Sequence, residues 1–340
     1  MNNIQKHILI ATGIYPPEIG GPAEYAKNLT MVWREQKHEV NVKVFSRFNF
    51  LPTGIRHLIY FFDTLPSILK SDLILALDTY SCGLPVTLAS LIFRKKIILR
   101  TGGDFLWEAY VERTGDLVLL RDFYKTRLSK LSIKEKIIFK LTKFVLKNVD
   151  AIIWSTEWQK DIFIGPYNLS GQNNFIVENY YGPRIVSLKP LQKNFIAMTR
   201  KLKWKHVELL KKVFGQQVIV NSGSTLDTDI VPHEEFLEKL RHSYAVIIAS
   251  LGDISPNTIL DAIRCGIPFI LTKETGLIPR IKDIAILIDP ENLQDITEKV
   301  LWLSDEKNYE AQKKKIESFG FIHSWKEIAN EYLNIYKNIK

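Results

Sequence analysis

The stretch AVIIASLGDISPNTILDAIRCGIPFIL, residues 245–271, reads as strand, loop, helix, stop and strand. Ala245 to Ala249 is a short unbroken apolar run, as expected of a strand buried on both faces. Ser255 is placed to cap a helix and Pro256 suits its first position. Asn257 to Cys265 carries the helix, Gly266 is its left-handed stop, and Pro268 prevents continuation. Phe269 to Leu271 then restarts an apolar strand. Two buried strands joined by a helix are parallel neighbours. Asp253 lies in the loop ahead of this helix and Asp261 about a turn and a half inside it. Ile259, Leu260, Ala262 and Ile263 surround Asp261, and a carboxylate in that company wants a partner such as ligand hydroxyls. A capped helix with two surface acids is the plainer alternative.

The same alternation extends in both directions. Strands are expected at His7–Thr12, Glu39–Phe45, Leu73–Leu77, Lys96–Arg100 and Ala151–Ser155. They are expected again at Phe195–Met198, Val218–Val220, 245–249 and 269–271, with helical stretches between them. This is an α/β pattern of doubly wound parallel sheets. At 340 residues two domains are expected. Pro183 and Pro190 punctuate a stretch near residues 182–194, which divides the chain into domains 1–185 and 186–321. Hydrophobic residues make up 46% and charged residues 24%, the range of a folded soluble chain, which excludes a disordered one. Cys82 and Cys265 are far apart, so neither a disulfide framework nor a zinc spacing is present and a reducing, cytoplasmic compartment is expected. The apolar run His7–Ala11 is too short for a signal core or a membrane span. The net charge of +9 favours anionic partners. No basic stripe interleaved with aromatics and no nucleic-acid module is visible, so nucleic acid is not an expected partner.

In open parallel sheets ligands gather at the carboxyl ends of strands. Three further segments carry chemistry there. Gly20, Gly21 and Pro22 follow the first strand, where paired glycines let backbone N–H groups approach an anion at a helix start; a tight turn explains them equally. Arg200 and Lys205 follow the first strand of the second half and suit a diphosphate; a solvated basic loop is the plainer reading. Asp104 follows Arg100-Thr-Gly102-Gly103 and either serves a reaction centre or caps the next helix.

The glycine pair, the Arg-x4-Lys pair, and the acid-x7-acid followed by Ala-x-x-x-Gly-x-Pro together resemble the retaining GT-B glycosyltransferases of family 4. Residues 149–158 (VDAIIWSTEW), 176–179 (IVEN) and the final stretch from Trp325 to Tyr336 fit the same pattern in the same order. The resemblance implies two Rossmann-like domains facing across a cleft, with a closing helix within 322–340 packed back on the first domain. It implies sugar transfer from a nucleotide-sugar, UDP- or GDP-linked, to a glycan or lipid-linked glycan, with retention, no cofactor and no metal. Arg200 and Lys205 then hold the donor diphosphate, Asp253 faces the donor sugar and Asp261 meets the ribose. Ser255, Pro256, Asn257 and Thr258 form the phosphate turn, while Gly20 and Gly21 close over the donor.

The chain departs from the family pattern in four places. Asp253 and Asp261 stand where glutamates are usual, Gly102 where a histidine is usual, and His206 where a glycine follows the lysine. The stretch from Arg200 to Ser250 reads as short by a strand and a helix. Asp104 is the candidate substitute for the missing histidine. Two other readings follow: a non-hydrolysing nucleotide-sugar epimerase on the same fold, and a non-catalytic relative that binds nucleotide or an anionic surface.

Between Lys136 and Lys147, apolar Ile137, Ile138, Leu141, Phe144 and Val145 form one stripe and Lys136, Lys140, Lys143 and Lys147 another. Such a helix either packs on the sheet with its lysines solvated, the preferred reading, or lies on an anionic membrane. A weak contact at the inner membrane face, with Leu58–Phe62 and Trp33 contributing, stays open.

Overall fold

The computed structural model describes residues 5–18 and 20–339. In chain order the first elements are β1 (His7–Thr12), α1 (Gly21–Glu35), β2 (Glu39–Val44), α2 (Thr53–Lys70), β3 (Leu73–Ala76), α3 (Gly83–Ile92) and β4 (Ile97–Thr101). Next come α4 (Phe105–Thr114), α5 (Leu120–Thr126), α6 (Ile133–Asn148), β5 (Ala151–Trp154), α7 (Glu157–Tyr167) and β6 (Asn174–Ile176). Then follow β7 (Lys193–Ile196), α8 (Val207–Phe214), α9 (Gln217–Asn221), β8 (Ser224–Asp227), α10 (His233–Arg241), β9 (Ala245–Ile248) and α11 (Asn257–Cys265). The chain ends with β10 (Phe269–Thr272), α12 (Ile278–Ile281), β11 (Ile286–Ile288), α13 (Leu293–Ser304), α14 (Glu306–Glu317) and α15 (Trp325–Asn338).

Two compact units result. The first comprises Met1–Leu106, Lys130–Glu178 and Ser324–Lys340, the second Trp107–Ser129 and Asn179–His323. A division at residue 185 assigns 107–129 to the first half, but this excursion packs on the second unit. Trp107 meets Trp204 with ring centroids 5.1 Å apart, and the Leu120 N–H donates to the Leu251 carbonyl at 3.0 Å. Gly252 makes room for it, since a Cβ there would fall 2.5 Å from Leu120 Cβ.

The first unit is a six-stranded parallel sheet in the order β2-β1-β3-β4-β5-β6. From β1 the chain winds outward to β2, then reverses and proceeds through β3 to β6. Right-handed crossovers therefore put α1 on one face and α2, α3, α6 and α7 on the other. On the α1 face lies α15. Trp33 Nε1 donates to the Ala329 carbonyl at 3.3 Å, and the Tyr25 and Tyr332 hydroxyls are 3.0 Å apart. Trp33 is wholly buried, so it is a core residue and contributes nothing to a membrane contact.

The second sheet is also parallel, in the order β11-β10-β9-β7-β8. Strand alternation sends Ile196, Val246, Phe269 and Leu271 to the core under α10 and α11, and Phe195, Ala245, Ile247 and Ile270 to the core under α8 and α13. The segment Val218–Val220 is not a strand. It is the helix α9, whose Ile219 is buried while Val218 and Val220 are exposed. The strand of that region is β8, four residues on. An isolated apolar triplet does not separate the two periods. Both cysteines are free and buried, and burial pushes the Cys265 thiol up to about 11. Among the described residues, no helix is long and apolar enough to cross a membrane.

Candidate functional site

In the second sheet the order reverses at β7, which lies between β8 and β9. Loops leaving the carboxyl ends of β7 and β9 are therefore neighbours at the switch point, where α/β sheets bind ligands. The loop after β7 tightens into a short 3-10 turn, Lys203–Lys205. The loop after β9 runs from Ser250 to Pro256. They meet through Lys205 Nζ and Asp253 Oδ2, 2.6 Å apart, with both side chains nearly buried. The Ser250 hydroxyl donates to the same carboxylate oxygen at 3.1 Å. Lys205 also lies over the Trp204 ring, 4.2 Å from its centroid. Topology alone thus brings together two residues that are 48 positions apart.

Helix α11 starts at Asn257 and ends at Gly266 in the left-handed conformation, φ 64°, as the glycine requires. Its start differs from expectation. Pro256 is the N-cap rather than the first helical residue, and no side chain caps the helix. The Ser255 hydroxyl is buried without a hydrogen-bond partner among the described residues. The turn is instead held by Asn179, whose Nδ2 donates to the Ser255 carbonyl at 3.2 Å and to Asn257 Oδ1 at 3.3 Å. Thr258 follows in the first turn, whose N–H groups have no intrahelical acceptor. Asp261 is buried and its Oδ1 accepts from Arg264 Nη1 at 2.9 Å, one turn along.

Arg200 stands apart from the Lys205–Asp253 pair. Its guanidinium is exposed and lies 3.7 Å from Glu108 of α4. His206, beside Lys205, adopts the left-handed conformation, φ 59°, and its Nδ1 lies 3.0 Å from the Pro290 carbonyl. Burial pushes its imidazole below the ordinary 6.5, with the Pro290 contact opposing.

Glu274, just beyond β10, was not singled out by motif. The Asp253 N–H donates to its carbonyl at 2.8 Å, so the two residues form one framework. Its side chain is fully buried, neither oxygen has a hydrogen bond among the described residues, and Arg121 Nη2 lies 3.1 Å from Oε1. Burial raises its carboxyl above the ordinary 4.5, with Arg121 opposing. The available signal was an acid at the carboxyl end of a buried parallel strand.

Gly20, Gly21 and Asp104 belong to the first unit. Gly20 is the N-cap of α1 and a Cβ there would lie 2.8 Å from Ile14 Cδ1, so Gly20 serves a close approach of chain to chain. Asp104 is buried and caps α4, its Oδ1 accepting from the Leu106 N–H at 3.0 Å. Arg100, also missed by motif, is buried at the end of β4. Its guanidinium carbon lies 3.8 Å from the Tyr25 ring centroid, and its Nη2 donates to the Ser155 hydroxyl at 3.0 Å. A Cβ at Gly102 would come within 3.1 Å of Arg100 Nη1, so this guanidinium crowds the position where the family pattern has histidine. A separate cavity of about 830 Å³ opens along the edge strand β2, and none of the candidate residues lines it. Among the described residues, no group of three or more His, Cys, Asp or Glu is placed to hold a metal ion.

No protein-family model and no curated protein sequence matches this chain. Solved structures do. A sucrose-phosphate synthase from Thermosynechococcus elongatus superposes with a TM-score of 0.68 at 11% identity, covering 98% of each chain. The catalytic domain of starch synthase IV from Arabidopsis thaliana, bound to ADP and acarbose, gives 0.66 at 12% identity over 98% of this chain and 99% of that one. The apo lipopolysaccharide outer core galactosyltransferase WaaB gives 0.59 at 12% identity over 96% and 98%. At these identities the likeness is one of fold. The chain has the GT-B fold, with two parallel Rossmann-like sheets.

Proposed function

We propose that this protein is a glycosyltransferase that moves a sugar from a nucleoside diphosphate sugar to a glycan or lipid-linked glycan. The carrying observation is the Lys205–Asp253 pair at the switch point of the second sheet, directly ahead of α11. A departing nucleoside diphosphate gathers negative charge, and fixed cations beside helix N–H groups stabilise it. Lys205 is pre-positioned for that task by Asp253 and Ser250. Arg200, exposed on the same loop, supplies the second cation. The Ser255–Thr258 turn offers backbone N–H groups to phosphate. Asp253 faces the sugar side, and Asp261 on α11 shares its carboxylate between Arg264 and the ribose. With both cations drawn from the chain, the donor step is read as metal-independent, and the family resemblance makes it retaining. UDP- or GDP-sugars are the expected donors.

The test is thermal-shift titration with UDP, GDP, ADP and their common sugar derivatives, followed by donor turnover. One nucleotide family should stabilise the protein saturably, and Arg200→Ala should abolish that shift. Turnover unchanged in both Arg200→Ala and Lys205→Ala would remove the diphosphate assignment. Stabilisation by no nucleotide would favour the non-catalytic reading.

A further inference from the structure

Helix α2 is apolar on two sides: Tyr60 and Ile68 are wholly buried against the unit, and a second apolar set faces solvent. Its buried residues include Thr64 and Ser67, while Ile55, Leu58, Ile59, Phe62 and Leu69 face solvent, Phe62 being 60% exposed. The exposed positions recur at helical spacing over about 21 Å, at 1.5 Å per residue. Helix α3 packs beside α2 and repeats the pattern. It buries Thr87 and Ser90 and exposes Leu88, Leu91 and Ile92, followed by exposed Phe93. Helix α6 packs beside α3, burying Thr142 and exposing Ile133, Ile137 and Phe144. Each helix also buries apolar side chains, among them Tyr60, Ile68, Val86, Ile138 and Leu146, so the exposed apolar set is in excess of what the core takes up. Contiguous exposed apolar side chains on three adjacent helices are characteristic of an interaction or membrane surface.

The charges around this face identify its cover. The only acids in the three helices are Asp63 and Glu135. Asp63 is paired with Lys43 at 3.0 Å, and Glu135 is buried in the capping box of α6. Against them stand exposed Lys70, Arg94, Lys134, Lys136, Lys140 and Lys147. An apolar face rimmed by cations, with both acids of the three helices already engaged, complements the interface of an anionic bilayer, where apolar side chains enter the acyl boundary and lysines meet headgroups.

We propose that the α2–α3–α6 face of the first unit is a platform for an anionic lipid bilayer, with α2 and α3 supplying the apolar contact and α6 most of the charge. This goes beyond a single basic helix: α6 buries Ile138, Val145 and Leu146, and its neighbours bear most of the exposed apolar surface. The proposal is independent of the donor site, because donor titration needs no lipid.

The experiment is vesicle co-sedimentation of the full chain with phosphatidylcholine alone and with phosphatidylcholine–phosphatidylglycerol mixtures. Binding should require phosphatidylglycerol and weaken with salt. Leu58→Ser/Phe62→Ser should reduce the partition coefficient by about tenfold or more. Lys136→Glu/Lys140→Glu should do the same at low salt. Both pairs are exposed, so unchanged melting temperatures confirm folding; Ile322→Ser, on the second unit, should leave binding intact. Absence of binding, or equal binding by Leu58→Ser/Phe62→Ser, overturns the proposal. So does sedimentation equilibrium showing a dimer that this variant dissolves, because a second copy would then be the cover.

Discussion

Lys205 and Asp253 hold each other at 2.6 Å in a nearly buried setting, so neither is replaceable alone. Lys205→Met leaves an unpaired buried carboxylate and should cost about 3 kcal/mol. Adding Asp253→Asn removes that charge and should recover most of the loss, which urea denaturation of the four-member cycle measures. Donor turnover should stay lost in the double variant, which separates stability from function. Glu274 obeys the opposite logic. Its carboxyl is raised, so the folded state holds the proton more tightly than the unfolded chain. Its contribution is full below about pH 4.5 and is lost as pH rises through the raised folded value. Glu274→Gln cannot ionise. Its melting temperature should match wild type in acid and exceed it towards neutral pH. The reverse order would mean that the Arg121 pair outweighs burial. Lys205, Asp253 and Asp261 were legible because motif spacing exposes residue types near strand ends. Glu274 and Arg100 were not, since nothing local distinguishes a buried charge from a surface one. His206 was legible only as an oddity. Its left-handed backbone is the physical reason a glycine suits that position.

At the scale of elements, two serines that look like helix caps behave differently. Ser132 caps α6 in a full capping box: its hydroxyl accepts from the Glu135 N–H and Glu135 accepts from the Ser132 N–H. Ser255 sits one residue too early for α11, because Pro256 takes the cap position. Ser132→Ala should therefore cost about 1 kcal/mol and Ser255→Ala at most a few tenths, read from chemical denaturation. Equal losses would restore Ser255 as a cap. The two differ in the residue that follows. Pro256 holds its own φ near −68° in the extended region and displaces the boundary by one position. The stop at Gly266 was legible because a left-handed residue leaves few alternatives to glycine. The identity of α9 was not, because an apolar triplet satisfies both periods until the flanking turns are fixed by packing.

At the scale of the whole molecule, chain order and unit composition part company. Parallel sheets and one restart of the strand–helix pattern are written locally, so the fold class was legible. Membership of a unit is decided by packing. Nothing within residues 107–129 announces that Trp107, Leu120 and Arg121 settle against the second unit. The first unit in turn is completed by the chain's last helix. Tyr332 of α15 is wholly buried, meets Trp33 edge-on at 6.1 Å between centroids and shares a 3.0 Å hydroxyl contact with Tyr25. Tyr332→Ala should cost about 4 kcal/mol, the scale of an emptied aromatic site. Because each sheet has its own core, that loss should be local. Hydrogen exchange should show β1 to β6 losing protection while β7 to β11 keep theirs, and thermal unfolding should split into two transitions. Uniform loss across both sheets would mean that the two cores unfold as one cooperative body. The local outcome makes α15 the element on which the first unit's stability closes, although its residues are the last in the chain.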